Sequence, residues 1–379
     1  MNIILIGTAY PLRGGIAHYF ALLFKHLSKR HQVSVVTFSR QYPGFLFPGK
    51  SQEESPGGPE GEIPSEQLMD SINPFSWIST ARSIIKKQPD LLIFKYWIPF
   101  FAPCFGVIAM LVKRRTNAKV LFICDNVVPH ERRPGDKVLT RFAFRYADFF
   151  IVQSKPVERD LINFKPGARY EFVHHPIYEI FGGRVDKQQA QKQLSVESER
   201  VLLFFGYVRK YKGLDTLLDA MPMVLKTLDV KLLIVGEFYD SEEHYRERIR
   251  KEGLASNVKV VSEYVPNDQV GKYFSASDVV VLPYHSATQS GIVQIAYQFD
   301  KPVIATDVGG LSEVVIDGTT GFIVKPDEPE ELARAIVRFY GEKREAPFVS
   351  NVREEKKKYS WDSLIGAIER LMATPGNAR

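Results

Sequence analysis

Cysteine and long apolar runs are both scarce in this chain. Two cysteines, Cys104 and Cys124, occur among 379 residues, too few for a disulfide framework, so a reducing compartment such as the cytoplasm is expected. The longest apolar run, Trp97 to Val112, is broken by Pro99 and Pro103 and ends in Lys113-Arg114-Arg115. It falls short of the ~20 residues that span a bilayer. It reads as a core strand, loop and helix, with a membrane-surface element as the alternative. No basic segment opens MNIILIGTAYPLRGG, which breaks at Pro11 and Gly14, so no secretory signal is expected. G-x-G-x-x-G does not follow the early strand, and no acidic residue stands where a ribose would need one, which argues against a dinucleotide-dependent dehydrogenase. Nucleic-acid-binding motifs are also missing, and nucleic acid is not expected as a partner.

What is present is an ordinary globular composition, 45% hydrophobic and 25% charged, in a chain long enough for two domains of roughly 150 to 200 residues. The net charge of +6 is unevenly placed: residues 1–180 carry 23 Lys and Arg against 15 Asp and Glu, a balance of +8, which leaves −2 for the remainder. A basic first half suits an anionic partner, either a phosphorylated substrate or an anionic membrane surface, or else a solvated basic face.

The periodicity alternates strand and helix throughout. Residues 2–7 (NIILIG) form a short apolar run leading through Pro11 to Gly14-Gly15, after which Ile16, Phe20, Leu23 and Leu27 recur at helical spacing. Glycines in such a loop let backbone approach a phosphate, and the helix N-terminus adds a favourable dipole. Further strands are predicted at 33–38, 91–94, 120–123 and 149–152, and a helix at 138–146. Between Tyr42 and Gln67 the Pro, Gly, Ser and Glu content predicts a flexible loop or lid. The strand pattern lapses from Pro166 to about Ser195. A second cycle then opens with strands at 201–205, 231–235, 258–261, 279–282 and 302–305, a helix at 214–228, and tail helices at 329–340 and 361–371 separated by a charged stretch. Strands separated by helices imply parallel, doubly wound sheets.

Three segments carry a resemblance: Phe205 to Gly213 (FGYVRKYKG), Ala276 to Pro283 (ASDVVVLP), and Lys301 to Glu313 (KPVIATDVGGLSE) with Gly318 to Phe322 (GTTGF). In this order they resemble glycosyltransferase family 4, the retaining glycosyl transferases group 1. That resemblance implies an α/β GT-B architecture, two Rossmann-like domains whose parallel doubly wound sheets face across a cleft. It gives 1–175 as an acceptor domain, 176–198 as linker, 199–355 as a nucleotide-sugar domain, and 356–379 as a C-terminal helix packing back on the first domain. The implied activity is a retaining, hexosyltransferase-like transfer from a nucleotide-diphosphate sugar to a glycan or lipid-linked acceptor. It would serve cell-envelope or polysaccharide biosynthesis in the cytoplasm, with peripheral contact to an anionic membrane. No cofactor or metal is expected.

Residue by residue, the resemblance assigns Arg209 and Lys212 to the leaving diphosphate, where cations stabilise the charge that develops as the sugar departs. Arg offers a forked donor and Lys a point charge. Ser290, Gly291 and Ile292 would start a helix whose amides face the diphosphate, Gly14 and Gly15 would close on it, and Tyr264-Val265 would adjoin the nucleobase. Two departures stand out. Where the family carries two glutamates with seven residues between them, this chain has Ala287 and Ile295, so Gln289 and Gln294 become the candidate ligands for sugar and ribose, with His285 and Thr288 weaker. An amide bonds hydroxyls but brings no charge. Where the family has a histidine after the strand at 120–123, this chain has Asp125, which would orient an acceptor hydroxyl or take its proton; His130 is the other candidate. The glutamate departures leave open a catalytically silent protein that binds nucleotide-sugar or glycan. Trp97, Phe100 and Phe101 read as core packing before an acceptor platform.

Overall fold

The computed structural model describes residues 1–12, 14–43, 63–129, 133–239, 241–287 and 290–373. Within them the chain divides into two compact units, Met1–Pro176 with Ser360–Arg379, and Ile177–Tyr359.

The first unit is a seven-stranded, wholly parallel sheet. Its elements are β1 (Asn2–Ile6), α1 (Gly15–Leu27), β2 (Gln32–Arg40), β3 (Ser65–Asp70), α2 (Pro74–Lys86), β4 (Leu91–Tyr96), α3 (Ala102–Lys113), β5 (Lys119–Cys124), α4 (Asp136–Phe144), β6 (Phe149–Val152), α5 (Lys155–Phe164) and β7 (Tyr170–Phe172). Strand order is β3-β2-β1-β4-β5-β6-β7. The central strands are continuous apolar runs because helices cover both faces, which removes the alternation of a half-exposed sheet. β4 is buried along its whole length, LLIFKY, a lysine included.

The second unit repeats the plan with α6 (Lys187–Leu194), β8 (Val201–Phe205), α7 (Leu214–Leu225), β9 (Lys231–Val235), α8 (Glu242–Lys251), β10 (Val258–Val261), α9 (Asn267–Ala276), β11 (Val279–Leu282), α10 (Gly291–Gln298), β12 (Val303–Thr306), α11 (Leu311–Val314), β13 (Gly321–Val324), α12 (Pro329–Gly341) and α13 (Glu345–Glu355). Six parallel strands run β10-β9-β8-β11-β12-β13. The last helix, α14 (Trp361–Ala373), belongs to the first unit, where Trp361 stacks on His26 at 5.4 Å between ring centroids and meets Tyr19 at 5.2 Å.

Edge elements depart from the periodicity. β3 (SEQLMD) and β7 (YEF) are polar or very short edge strands with half-exposed side chains, so neither leaves an apolar run to read. β3 begins inside the segment expected as a loop to Gln67; residues 44–62 of that segment lie outside the described residues. The expected lapse from Pro166 to Ser195 contains both β7 and α6. The charged stretch before Trp361 folds as α13, holding Phe348 and Val352 in the core. Among the described residues no helix is long and apolar enough to cross a membrane.

Each sheet reverses its order once, between β1 and β4 and between β8 and β11. Loops leaving the carboxyl ends of those neighbouring strands diverge to opposite faces and open a crevice, the usual ligand position in such sheets.

Candidate functional site

In the second unit the crevice is lined by the loops after β8 and β11. β8 ends at Gly206 (φ +101°), and the chain turns through a 3-10 turn, Lys210–Lys212, to Gly213 (φ +65°). Both glycines sit where L side chains are strained. A Cβ on Gly213 would lie 1.9 Å from the Pro283 carbonyl oxygen, so the two loops touch backbone to backbone. A Cβ on Gly206 would lie 3.0 Å from Lys212 Nζ and 3.2 Å from Ile292 Cδ1. The ammonium is therefore seated on bare backbone beside the first turn of α10.

Lys212 is 8% exposed, and among the described residues no carboxylate pairs with it or with Arg209. Burial first, and then Arg209, push its pKa down to about 7. Its ammonium lies 5.4 Å from the centroid of the Tyr284 ring. Arg209 is exposed, its guanidinium 4.5 Å from the centroid of the Tyr239 ring. Two adjacent cations without a counter-charge among the described residues, one of them buried, make a site with a demand for an anion.

Ser290 caps α10: its Oγ accepts from the Ile292 N–H at 3.3 Å and lies 3.4 Å from the Tyr284 hydroxyl. The first-turn amides of a helix have no partners within the helix. Gly291 packs against the Tyr178 ring, where a Cβ would come to 3.3 Å. Gln294 is 2% exposed, and its Oε1 has no hydrogen-bond partner among the described residues. Ile295 is buried and Ala287 half-buried, so neither position offers a polar group. Gln289 and Thr288 lie outside the described residues. Tyr264 follows β10 with Val265 buried behind it. The sequence reading missed two rings beside Tyr264: Tyr207 lies 6.3 Å from it and 4.9 Å from Tyr239. These three tyrosines stand at the carboxyl ends of neighbouring strands β8, β9 and β10, a register visible only once the sheet order is known. His285 Nδ1 is hydrogen-bonded with Asp327 Oδ1.

In the first unit Gly14 (φ +111°) precedes α1, of which Gly15 is the first residue, and a Cβ on Gly14 would meet nothing within 4 Å. Asp125 follows β5 and is paired through Oδ1 with Lys95 Nζ at 2.7 Å. Lys95 also donates to Gln153 Oε1 at 3.0 Å and lies 3.7 Å from the centroid of the Tyr19 ring. Gln153 Nε2 in turn donates to the Tyr19 hydroxyl at 3.2 Å. Burial lowers the Lys95 pKa, with Asp125 opposing the shift. His175 meets the edge of Tyr19 at 5.1 Å, and burial followed by the Lys95 charge lowers its pKa to about 4. Lys95 was not singled out from the sequence, although a lone charge inside LLIFKYW was the available signal. His130 lies outside the described residues. Trp97 and Phe101 are packed in the core 4.5 Å apart, with Phe100 partly buried against it. Among the described residues no cluster of three or more His, Cys, Asp or Glu side chains is arranged to hold a metal.

Comparison with known proteins bears on the family and the fold. The model for glycosyl transferases group 1 matches residues 199–342, and that for glycosyltransferase family 4 matches residues 13–178. A D-inositol 3-phosphate glycosyltransferase of Acidothermus cellulolyticus is 24% identical over 389 aligned positions, covering 94% of this chain and 84% of that protein. An uncharacterized glycosyltransferase of Methanocaldococcus jannaschii is 29% identical over 171 residues, 44% of this chain; there the chain spans 43% of the relative's length. Among solved structures, HepE of Anabaena in complex with UDP superposes with a TM-score of 0.77 at 18% identity, covering 98% of this chain and 100% of that one. Two parallel doubly wound units, the two family models matched in succession and this shared GT-B fold lead to one statement: the chain belongs to glycosyltransferase family 4, the glycosyl transferases group 1.

Proposed function

We propose that the protein is a retaining glycosyltransferase that moves a sugar from a nucleotide-diphosphate donor to a glycan or lipid-linked acceptor. The carrying observation is the pair Arg209 and Lys212: two cations without a carboxylate partner among the described residues, one seated on Gly206 beside the start of α10. As the anomeric C–O bond breaks, its electron pair goes to the diphosphate, and these cations with the Ser290, Gly291 and Ile292 end of α10 stabilise the growing charge. Gly14 and Gly15 offer the first unit's phosphate-approach backbone. Tyr264 and Val265, joined by Tyr207 and Tyr239, offer stacking faces to a base. Gln294, with an unpartnered buried carbonyl oxygen, takes a donor hydroxyl in place of the glutamates missing at Ala287 and Ile295, and Gln289 is assigned beside it. Asp125 orients the acceptor hydroxyl and receives its proton, with His130 the other candidate. A cytoplasmic location with peripheral contact to an anionic membrane belongs to the same proposal. It is supported by Phe75, 82% exposed, with exposed Ile72 and Ile78 beside Arg82 and Lys86 on and before α2, a combination that suits lipid headgroups.

The test is turnover of a panel of UDP-, GDP- and ADP-sugars, read as nucleoside diphosphate release and as transfer. A second reading, a silent binding protein, is favoured by Ala287 and Ile295. It prevails if a donor binds and none is hydrolysed or transferred.

A further inference from the structure

Lys95 is a charged residue buried inside the first unit. It is 1% exposed, and an ammonium without water must be fully paired. Its surroundings supply a carboxylate, an amide oxygen and an aromatic face, from β5, β6 and α1 respectively. The amide is oriented by the same contacts, since Gln153 Oε1 faces the ammonium while Nε2 faces the Tyr19 hydroxyl. Tyr19 is wedged against His175 and Trp361. Of the groups that directly hold the ammonium, Asp125 is the half-buried one, whereas Tyr19 and Gln153 are buried. The arrangement is thus a buried, hydrogen-bonded shell behind one carboxylate at the carboxyl edge of the sheet. Buried ion pairs are a poor source of stability, since apolar replacements of similar volume serve as well or better. Fixing the direction of a reacting group is what such a pair does well.

We infer that Lys95 is a positioning residue, its ammonium holding the Asp125 carboxylate in the orientation that receives the acceptor hydroxyl. The inference rests on the role proposed for Asp125 and extends it to a residue that touches neither donor nor acceptor.

The test uses the full chain, the best-turned-over donor of the panel, and two acceptors, water and n-octyl β-D-glucopyranoside. Lys95→Met, Lys95→Gln, Asp125→Asn and the double variant Lys95→Met/Asp125→Asn are compared, with Lys95→Gln as the polar fallback should Lys95→Met fold poorly. Each single variant is expected to lower kcat by ~10²-fold, the scale of a small misplacement at a reacting group, with the KM for donor unchanged. The double variant should be no slower than Asp125→Asn. Wild-type kcat in the Lys95 variants overturns the inference. So do losses that multiply in the double variant, or a donor KM that rises in step, since a general structural defect gives those results. If the wild-type protein turns over no donor, the proposed function falls, and the crystal structure of a Lys95 variant decides the inference by itself. A carboxylate displaced by ~1 Å or more supports it, and an unmoved one overturns it.

Discussion

Raising the pH from 7 to 9 removes the proton from Lys212 in the empty protein, and the effect on nucleoside diphosphate binding can be worked through. The folded pKa of about 7 lies below the ordinary lysine value of ~10.4 because burial penalises the ammonium. A bound diphosphate supplies the missing counter-charge and returns the group toward that ordinary value. The protonated form is therefore the one that binds. Between pH 7 and pH 9 its share in the free protein falls from about one half to about one hundredth, so affinity falls ~50-fold, or ~2.3 kcal/mol. At pH 8, where UDP is already fully ionised, binding should take up ~0.9 proton. Isothermal titration with UDP and ADP in two buffers of different ionisation enthalpy reads both quantities. Lys212→Met should bind weakly and with no pH dependence over the same range. The reasoning is refuted if wild-type affinity is flat from pH 7 to 9, or if no proton is taken up at pH 8. The same shift acts on folding with a definite sign. The unfolded chain binds more protons at this site, so its contribution to stability rises as pH rises from about 7 toward ~10.4, and chemical denaturation of wild type against Lys212→Met should show it.

Other perturbations follow from the same geometry. Arg209→Ala and Lys212→Ala should each lower turnover by ~10² to 10³, measured as kcat at saturating donor, and wild-type rates in both would remove them from the site. Gln294→Leu should raise the melting temperature of the empty protein, since it removes a buried carbonyl that costs ~1 to 3 kcal/mol; it should also weaken binding of a nucleotide-sugar while leaving the bare nucleoside diphosphate unaffected. Gly206→Ala places a methyl 3.0 Å from Lys212 Nζ at φ +101°; loss of diphosphate affinity in a folded protein, seen by circular dichroism and titration, is the expected result.

The central strands were legible because burial on both faces leaves uninterrupted apolar runs, and Val279–Leu282 was bounded correctly by the pattern alone. β3 and β7 escaped because edge strands show no such run. The loop glycines at 206 and 213 were visible as letters, but only the folded contacts, with Pro283 at 213 and with Lys212 and Ile292 at 206, explain why a side chain fits poorly at either. Arg209 and Lys212 were singled out only through the resemblance that FGYVRKYKG carries. That Lys212 is buried and unneutralised depends on which loop packs over it, a fact of sheet order. Lys95 illustrates the gap most clearly: its partners lie at 19, 125 and 153 in sequence and meet only because β4, β5 and β6 are neighbours with α1 laid across them.

The return of α14 to the first unit makes that unit discontinuous in sequence. Trp361 is 2% exposed, covered by Tyr19 and His26, and truncating a buried tryptophan costs ~3 to 5 kcal/mol. A fragment that stops at Pro176 therefore loses a wall of its own interior. Chimeras that exchange the second unit between relatives must be cut at two junctions, near 176 and near 360, for the recipient to keep its own α14.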